Sequence, residues 1–256
     1  MAHIAYELSR RMDEAPTEGN ASLVRSVAWV LQLLGHQEGI LSAERQRGLV
    51  GECLLLRQLL IKGRVLSLDP SAVLQRWWGH HPSRRDFAAK YIAVEVKTTS
   101  LPSRTHRIGS IDQLDPHTPA ERVYVYSVGL RSDVSGPKKL PDFILDVEAQ
   151  LVGPSGEPAV AAQDLFRTQL HRYGYDRAQE SYYRAAPGFL RPHLVPAFFD
   201  AAAMHRLRLS DFVGGQFPED VSEVSYTVDM HGEPLSDNVV EELLTSLITS
   251  DALSSS

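Results

Sequence analysis

The most constraining feature of the sequence is the segment YIAVEVKTT at 91–99, which is rich in β-branched residues and predicts a strand. Because strand side chains alternate between two faces, Glu95 and Lys97 project from one face and Val94 and Val96 from the other. We expect the valines to face the core. The carboxylate and the ammonium group then form either a functional pair or an exposed salt bridge on a solvated face, and the strand alone favours neither.

Asp86 supplies a second carboxylate close to this strand. If residues 86–97 form a tight hairpin that turns near Ala89 and Lys90, position 86 lies opposite position 93. Asp86 is then the diagonal neighbour of Glu95 on the same face. The turn lacks the Asn-Gly sequence that two-residue hairpins favour. This register would bring the two carboxylates within reach of a common ion.

Two convergent carboxylates are a hard oxygen site of the kind that Mg²⁺ or Mn²⁺ occupies together with water and phosphate oxygens. Such a metal acidifies a bound water and neutralises the charge that develops on a phosphate in the transition state. Lys97 could orient or deprotonate the attacking water. The pattern therefore predicts phosphodiester hydrolysis, with Asp86, Glu95 and Lys97 as catalytic residues.

Periodicity and capping residues predict the surrounding elements. Ser42 is a suitable N-cap for an apolar helix over 43–62, and the alternating segment 121–130 predicts a second strand. Gly48 and Gly51 lie inside this helix, and since each costs about 1 kcal/mol relative to Ala, we expect another backbone to approach there. Further predicted elements are helices at 22–34, 110–114, 141–152, 160–184 (interrupted near Gly174) and 237–249, and a strand at 222–230.

Composition and charge exclude several classes of protein. A single cysteine, Cys53, rules out an internal disulfide and a cysteine-based metal site. The lone thiol and the lack of a signal peptide or a long apolar run predict a cytoplasmic protein. The formal net charge is −6, but residues 44–107 contain 12 Lys/Arg and 5 Asp/Glu, which gives +7 there and −13 elsewhere. A basic window in an acidic chain predicts a local site for a polyanion.

Asp86 and the Glu95-Val96-Lys97 tripeptide resemble the D…ExK signature of the PD-(D/E)XK nuclease superfamily, with Arg85 in place of the usual proline. A bacterial branch of that superfamily, associated with restriction or phage defence, is similar over about residues 44–230. The segments that carry this resemblance are RGLVGE at 47–52, WWG at 77–79, RDF at 85–87, EVKTT at 95–99, HRIGSIDQL at 106–114, GYDRAQESYY at 174–183 and DFVGGQFPEDVSEVSYTVDM at 211–230.

The resemblance implies an α/β fold with a restriction-endonuclease-like αβββαβ core built on a mixed sheet, followed by a C-terminal α+β extension. The corresponding organisation is an N-terminal helical segment at 1–42, the PD-(D/E)XK nuclease core at 43–135, and an extension at 136–256 that packs on the core. The first core strand would lie within residues 64–68.

The resemblance also implies further site residues. Glu52 would be an accessory metal ligand beside Asp86 and Glu95, with Mg²⁺ as the cofactor and Mn²⁺ as a substitute. Gln113 is similar to a glutamine that orients the lysine or a metal-bound water, although it could equally cap the helix at 110–114. Five cations flank the site and either contact DNA phosphates or are ordinary surface charges: Arg84, Arg85, Lys90, Arg104 and Arg107.

Motif and charge together predict a Mg²⁺-dependent DNA endonuclease, and the resemblance implies a role in bacterial restriction or phage defence. Its expected partners are DNA, a second copy of the chain in a homodimer, and an ATPase or another subunit of a defence complex. The alternative is a non-cleaving DNA-binding or scaffolding subunit that retains the nuclease fold, and a structure-specific or RNA-directed nuclease is a third option. The intact set of Glu52, Asp86, Glu95 and Lys97 favours the enzyme.

Overall fold

The computed structural model describes residues 40–79, 85–153, 156–217, 220–221 and 224–250. The predicted helix at 22–34 and the predicted DNA contact Arg84 lie outside these ranges. No helix in the described part of the chain is long and apolar enough to cross a membrane.

Helices and strands alternate along the described chain. The helices are α1 (Ala43–Val65), α2 (Pro70–Leu74), α3 (Leu140–Glu148), α4 (Val160–Tyr173), α5 (Glu180–Ala185) and α6 (Asp237–Thr249). The strands are β1 (Phe87–Ala89), β2 (Ile92–Thr99), β3 (Thr105–Ile108), β4 (Arg122–Gly129), β5 (Ser132–Asp133), β6 (Gly188–Phe189), β7 (Leu194–Asp200) and β8 (Tyr226–Asp229).

Four of these strands form a mixed central sheet in the order β1-β2-β4-β7. β1 and β2 are antiparallel, β2 and β4 are parallel, and β7 is antiparallel to β4. Every residue of β4 except Arg122 is buried, as expected for a central strand covered on both faces. The protein is therefore a mixed α/β fold, as predicted.

The two faces of the sheet are covered differently. Val94 and Val96 belong to the main hydrophobic core, together with residues of α1, so the predicted inward direction of the valines is confirmed. The opposite face carries Glu95 and a smaller core in which Ala93 and Val125 pack under Ile108 and Val228 of the β3–β8 ribbon. The polar pair therefore lies beside this ribbon.

Helix α1 lies close to β2. Its N-terminus is capped by Ser42, whose Oγ accepts a hydrogen bond from the backbone N–H of Arg45 at 3.2 Å. A Cβ atom on Gly51 would lie 2.5 Å from Thr98 Cγ2 and 3.0 Å from Val96 Cγ1. The close approach expected at this glycine is therefore to side chains of β2, not to another backbone.

The C-terminal half of the chain contributes to the central sheet. Its strand β7 pairs with β4 along one edge, and α6 contacts α1, β1 and β2. The segment predicted as an extension thus completes the sheet that carries Glu95.

Three expectations about local structure are wrong. Residues 64–68 do not form the first core strand, because α1 runs to Val65 and ends in a turn. The position beside β1 that this strand would occupy is taken by residues 76–78, where Trp77 forms a β-bridge with Phe87. Residues 110–114 form turns, not a short helix. The β1–β2 hairpin pairs Phe87 with Val94 and turns at Lys90–Tyr91, which differs by two residues from the predicted register.

Two glycines of α1 test how closely the helix lies against the sheet. Gly51→Ala should lower the free energy of unfolding by about 1–3 kcal/mol, because the added methyl overpacks β2. Gly48→Ala is the matched control, since its Cβ would meet only the Tyr173 hydroxyl oxygen, at 3.3 Å. This control should be neutral or gain up to about 1 kcal/mol from helix propensity. Urea denaturation measures both, and equal effects would contradict the packing described.

Candidate active site

Asp86 lies just before β1, where two contacts fix it. Its backbone carbonyl accepts a hydrogen bond from Trp78 N at 2.7 Å, and its Oδ2 accepts one from Val96 N at 2.7 Å. Continuing the β1–β2 register by one position places Asp86 opposite Glu95, and directly opposed residues project from the same face. The two-residue error in the predicted register preserves this face, because side-chain direction alternates with a period of two.

Glu95 is buried and is held by two donors. Its Oε1 lies 3.0 Å from Lys97 Nζ and accepts a hydrogen bond from Gln113 Nε2 at 2.7 Å. The pKa of Glu95 is raised from 4.5 to about 8, mainly by burial and secondly by the negative charge of Asp86. The positive charge of Lys97 opposes this shift. The salt bridge is therefore not the exposed surface pair of the alternative interpretation, because the side chain of Lys97 is only 13% exposed.

The pKa of Asp86 is also raised, mainly because the carboxyl group is withdrawn from water. The Val96 N–H, Lys97 and Arg85 favour its charged form and oppose that shift. Lys97 thus acts electrostatically on both carboxylates.

Glu52, a buried residue of α1, reaches the same region. Its Oε2 accepts a hydrogen bond from Trp77 Nε1 at 2.6 Å, and its Oε1 accepts one from the Tyr173 hydroxyl at 3.0 Å. Burial raises the pKa of Glu52 well above its ordinary value, and the charge of Asp86 raises it further. A Cβ atom on Gly79 would lie 1.8 Å from Oε2, so the glycine of the WWG segment leaves the space that this carboxylate occupies.

Gln113 joins Glu95 to the turn that follows β3. While its Nε2 donates to Glu95, its Oε1 accepts a hydrogen bond from Gly109 N at 2.7 Å. The alternative role of capping a helix at 110–114 does not apply, because these residues form turns. The Gln113 side chain contacts Glu95 directly, and Gln113 and Lys97 both donate to Oε1 of Glu95.

The cations predicted to contact phosphates differ in their exposure to solvent. Lys90 and Arg107 are exposed. Arg85 is buried and donates to the carbonyls of Gln113, at 2.5 Å, and Asp115, a position that does not suit a contact with DNA. Arg104 donates to Ser127 O at 3.0 Å and to Val195 O at 2.5 Å, so it ties β4 to β7.

His106 lies next to the site on β3 and is buried. Its Nε2 is 2.8 Å from the hydroxyl oxygen of Ser127, the β4 residue that pairs with Lys97. Burial, aided by the charge of Lys97, lowers the pKa of His106 to about 4. The imidazole is therefore neutral at pH 7 and adds no positive charge near Lys97.

Some contacts of the site were not predicted. The bond from Trp77 to Glu52 has a sequence signal, because a buried indole N–H usually finds an acceptor. Tyr173 gives no such signal, because 121 positions separate it from Glu52 and only the packing of α4 brings them together.

The residues present are suited to a cation. Burial disfavours the charged forms of Glu52, Asp86 and Glu95, and Asp86 repels both glutamates. A divalent ion would offset this repulsion, and carboxylate oxygens are suitable ligands for Mg²⁺ or Mn²⁺. Within the described ranges, however, no group of three or more His, Cys, Asp or Glu side chains is arranged to hold a metal. The pair of Asp86 and Glu95 is therefore the metal-binding candidate.

A mixed sheet with the Glu95-Val96-Lys97 tripeptide on β2, and with Asp86 just before the adjacent strand β1, has the features of a PD-(D/E)XK protein. The model of the family DUF4420, described as "Putative PD-(D/E)XK family member", matches residues 2–231. The chain therefore belongs to this family, and the predicted relationship to the PD-(D/E)XK superfamily is confirmed. The searches of curated proteins and of solved structures returned no match.

The raised pKa of Glu95 predicts a pH-dependent stability. A carboxyl group whose folded pKa is about 8 contributes stability that is fully present below about pH 4.5 and is lost as the pH rises through 8. Glu95→Gln removes this loss. The stability of the variant relative to wild type should therefore increase between pH 5 and pH 8, by on the order of 2 kcal/mol.

Urea denaturation in EDTA at several pH values measures this difference. Glu148→Gln is the control, because Glu148 forms a surface ion pair with Arg177. If the Glu95 and Glu148 variants changed equally with pH, the raised pKa of Glu95 would be contradicted.

Proposed function

We propose that this protein is a metal-dependent DNA endonuclease that hydrolyses phosphodiester bonds in bacterial restriction or phage defence. The observation that carries the proposal is the buried contact of Lys97 Nζ with Glu95 Oε1, at 3.0 Å, on the strand beside Asp86. Membership of a PD-(D/E)XK family supports nuclease chemistry at these residues.

Asp86 and Glu95 would hold Mg²⁺, or Mn²⁺ in its place, with Glu52 as an accessory acid behind them. When bound, the ion would supply a water of lowered pKa and would offset negative charge on the scissile phosphate. Glu52 keeps its place through the Trp77 and Tyr173 hydrogen bonds. Gln113 keeps Glu95 oriented toward the face that it shares with Asp86.

Lys97 is the residue that acts on the nucleophile. Its ammonium group has three donors, one of which is directed to Glu95, so the others are available to a water and a phosphate oxygen. Because the side chain is partly exposed, a substrate can reach it from solvent. Lys97 therefore orients the attacking water and stabilises the charge that develops on the phosphate.

DNA would approach through the basic window and not through the acidic remainder of the chain. Among the members of the predicted set that the structure describes, Lys90 on the hairpin turn and Arg107 on β3 are exposed. Because the chain is acidic overall, this attraction is local and sensitive to salt. A homodimer or an ATPase subunit of a defence complex would add contacts to this surface.

Plasmid cleavage tests the catalytic assignment. Wild type should nick or linearise DNA in Mg²⁺ or Mn²⁺ and not in EDTA. Lys97→Ala should lower the cleavage rate at least about 100-fold, because it removes the group that acts on the water. Lys62→Ala is the matched control, since Lys62 pairs with Glu241 on a different part of the protein, and it should cut at the wild-type rate.

Two results would contradict the assignment. Equal cleavage by Lys97→Ala and wild type would remove Lys97 from the chemistry. If wild type bound DNA in a mobility-shift assay but never cut it under any metal condition, the non-cleaving DNA-binding function would replace the enzyme.

Metal binding can be measured without cleavage. Saturating Mn²⁺ should raise the melting temperature of wild type by roughly 5 °C, because an ion that binds only the folded state stabilises it. Asp86→Asn should abolish this increase, whereas Asp164→Asn, on an exposed surface of α4, should keep it. An undiminished increase in Asp86→Asn would place the ion elsewhere.

A further inference from the structure

Residues 109–121, the turn-containing segment between β3 and β4, present Gln113 to Glu95. This segment has little regular structure of its own, so contacts from outside must fix its position. Buried Ile111 and Leu114 anchor the segment in the core. Two arginines add polar contacts: Arg85, which lies just before β1, and Arg206, which belongs to the C-terminal half of the chain.

Of the two arginines, Arg206 lies farther from the segment along the chain. Its guanidinium lies 2.6 Å from Asp115 Oδ1, and its Nε donates to Ala201 O at 3.3 Å. The side chain of Arg206 is only 4% exposed. Only the Arg206 side of this pair is buried, because the side chain of Asp115 is 32% exposed. Without Arg206, Asp115 loses the contact that holds it against the protein and can turn toward solvent.

The contacts form a continuous path from Arg206 to the proposed site. Asp115 is held through its side chain by Arg206 and through its carbonyl by Arg85. Arg85 also donates to the carbonyl of Gln113, two residues earlier. The side chain of Gln113 then donates to Glu95 Oε1 at 2.7 Å.

We propose that Arg206 is a positioning residue that fixes the orientation of Glu95 through Asp115 and Gln113. The C-terminal half of the chain thereby completes the site, in addition to contributing β7 to the sheet. This inference rests on the proposed nuclease function for its effect on turnover, but not for its effect on the position of Gln113.

The first test separates turnover from binding. Arg206→Ala should lower kcat by about 10- to 100-fold, because a displacement of about 1 Å at a catalytic group has an effect of this size. KM for DNA should change less than about threefold, because Arg206 is buried and does not touch the substrate. Arg208→Ala is the matched control: Arg208 lies in the same segment and donates to Ala202 O, and its removal should leave kcat unchanged.

The second test observes Gln113 directly and does not need cleavage. In wild type, the side-chain NH₂ signals of Gln113 in a ¹H–¹⁵N spectrum, assigned by their loss in Gln113→Ala, should be those of a bonded amide. Arg206→Ala should move them toward the positions of a free amide. The charge exchange Arg206→Asp with Asp115→Arg should move them back and restore at least part of kcat, which a purely structural loss would not allow.

Unchanged Gln113 signals in Arg206→Ala would overturn the proposal, whatever the cleavage result. An equal loss of kcat in Arg208→Ala, or no recovery in the charge exchange, would also overturn it. If wild type did not cleave but the Gln113 signals moved as expected, the positioning role would stand and the proposed nuclease function would fail.

Discussion

The contact on which the site depends is the burial of the Glu95 carboxylate between Lys97 and Gln113. A carboxylate withdrawn from water is costly unless donors replace the lost solvent. Here an ammonium group and an amide, at 3.0 and 2.7 Å, replace part of it, and the pKa of Glu95 is still raised to about 8. Gln113 brings one of these donors from the segment at 109–121, which buried Ile111 and Leu114 also anchor. Glu52 and Asp86 share this region of low solvent access, where a divalent cation would have its greatest effect.

Patterns with a short period predicted much of the fold. Alternation in β2 gave the correct faces for Val94 and Val96, and the same alternation kept Asp86 on the face of Glu95 despite the wrong register. The helix predicted at 237–249 coincides with α6, because its apolar spacing reports a single buried face. In these cases the burial of each residue depends on its near neighbours in sequence.

The remaining features depend on contacts between distant segments. The resemblance placed the first core strand within residues 64–68, yet α1 continues through Val65 and the segment around Trp77 takes the position beside β1. Arg85 was predicted to bind phosphate because it is basic and adjacent to Asp86, but it is buried against carbonyls of another segment. Tyr173 and Arg206 gave no local signal at all, since only the packing of the C-terminal half brings them near the acids.

The most direct test of the account is anomalous diffraction from a crystal of the wild-type protein soaked in Mn²⁺. We expect an anomalous peak between the carboxylates of Asp86 and Glu95, with the Lys97 ammonium beside it, and no such peak in a crystal of Glu95→Gln. A strong manganese peak elsewhere in the protein, with none between these two side chains, would contradict it.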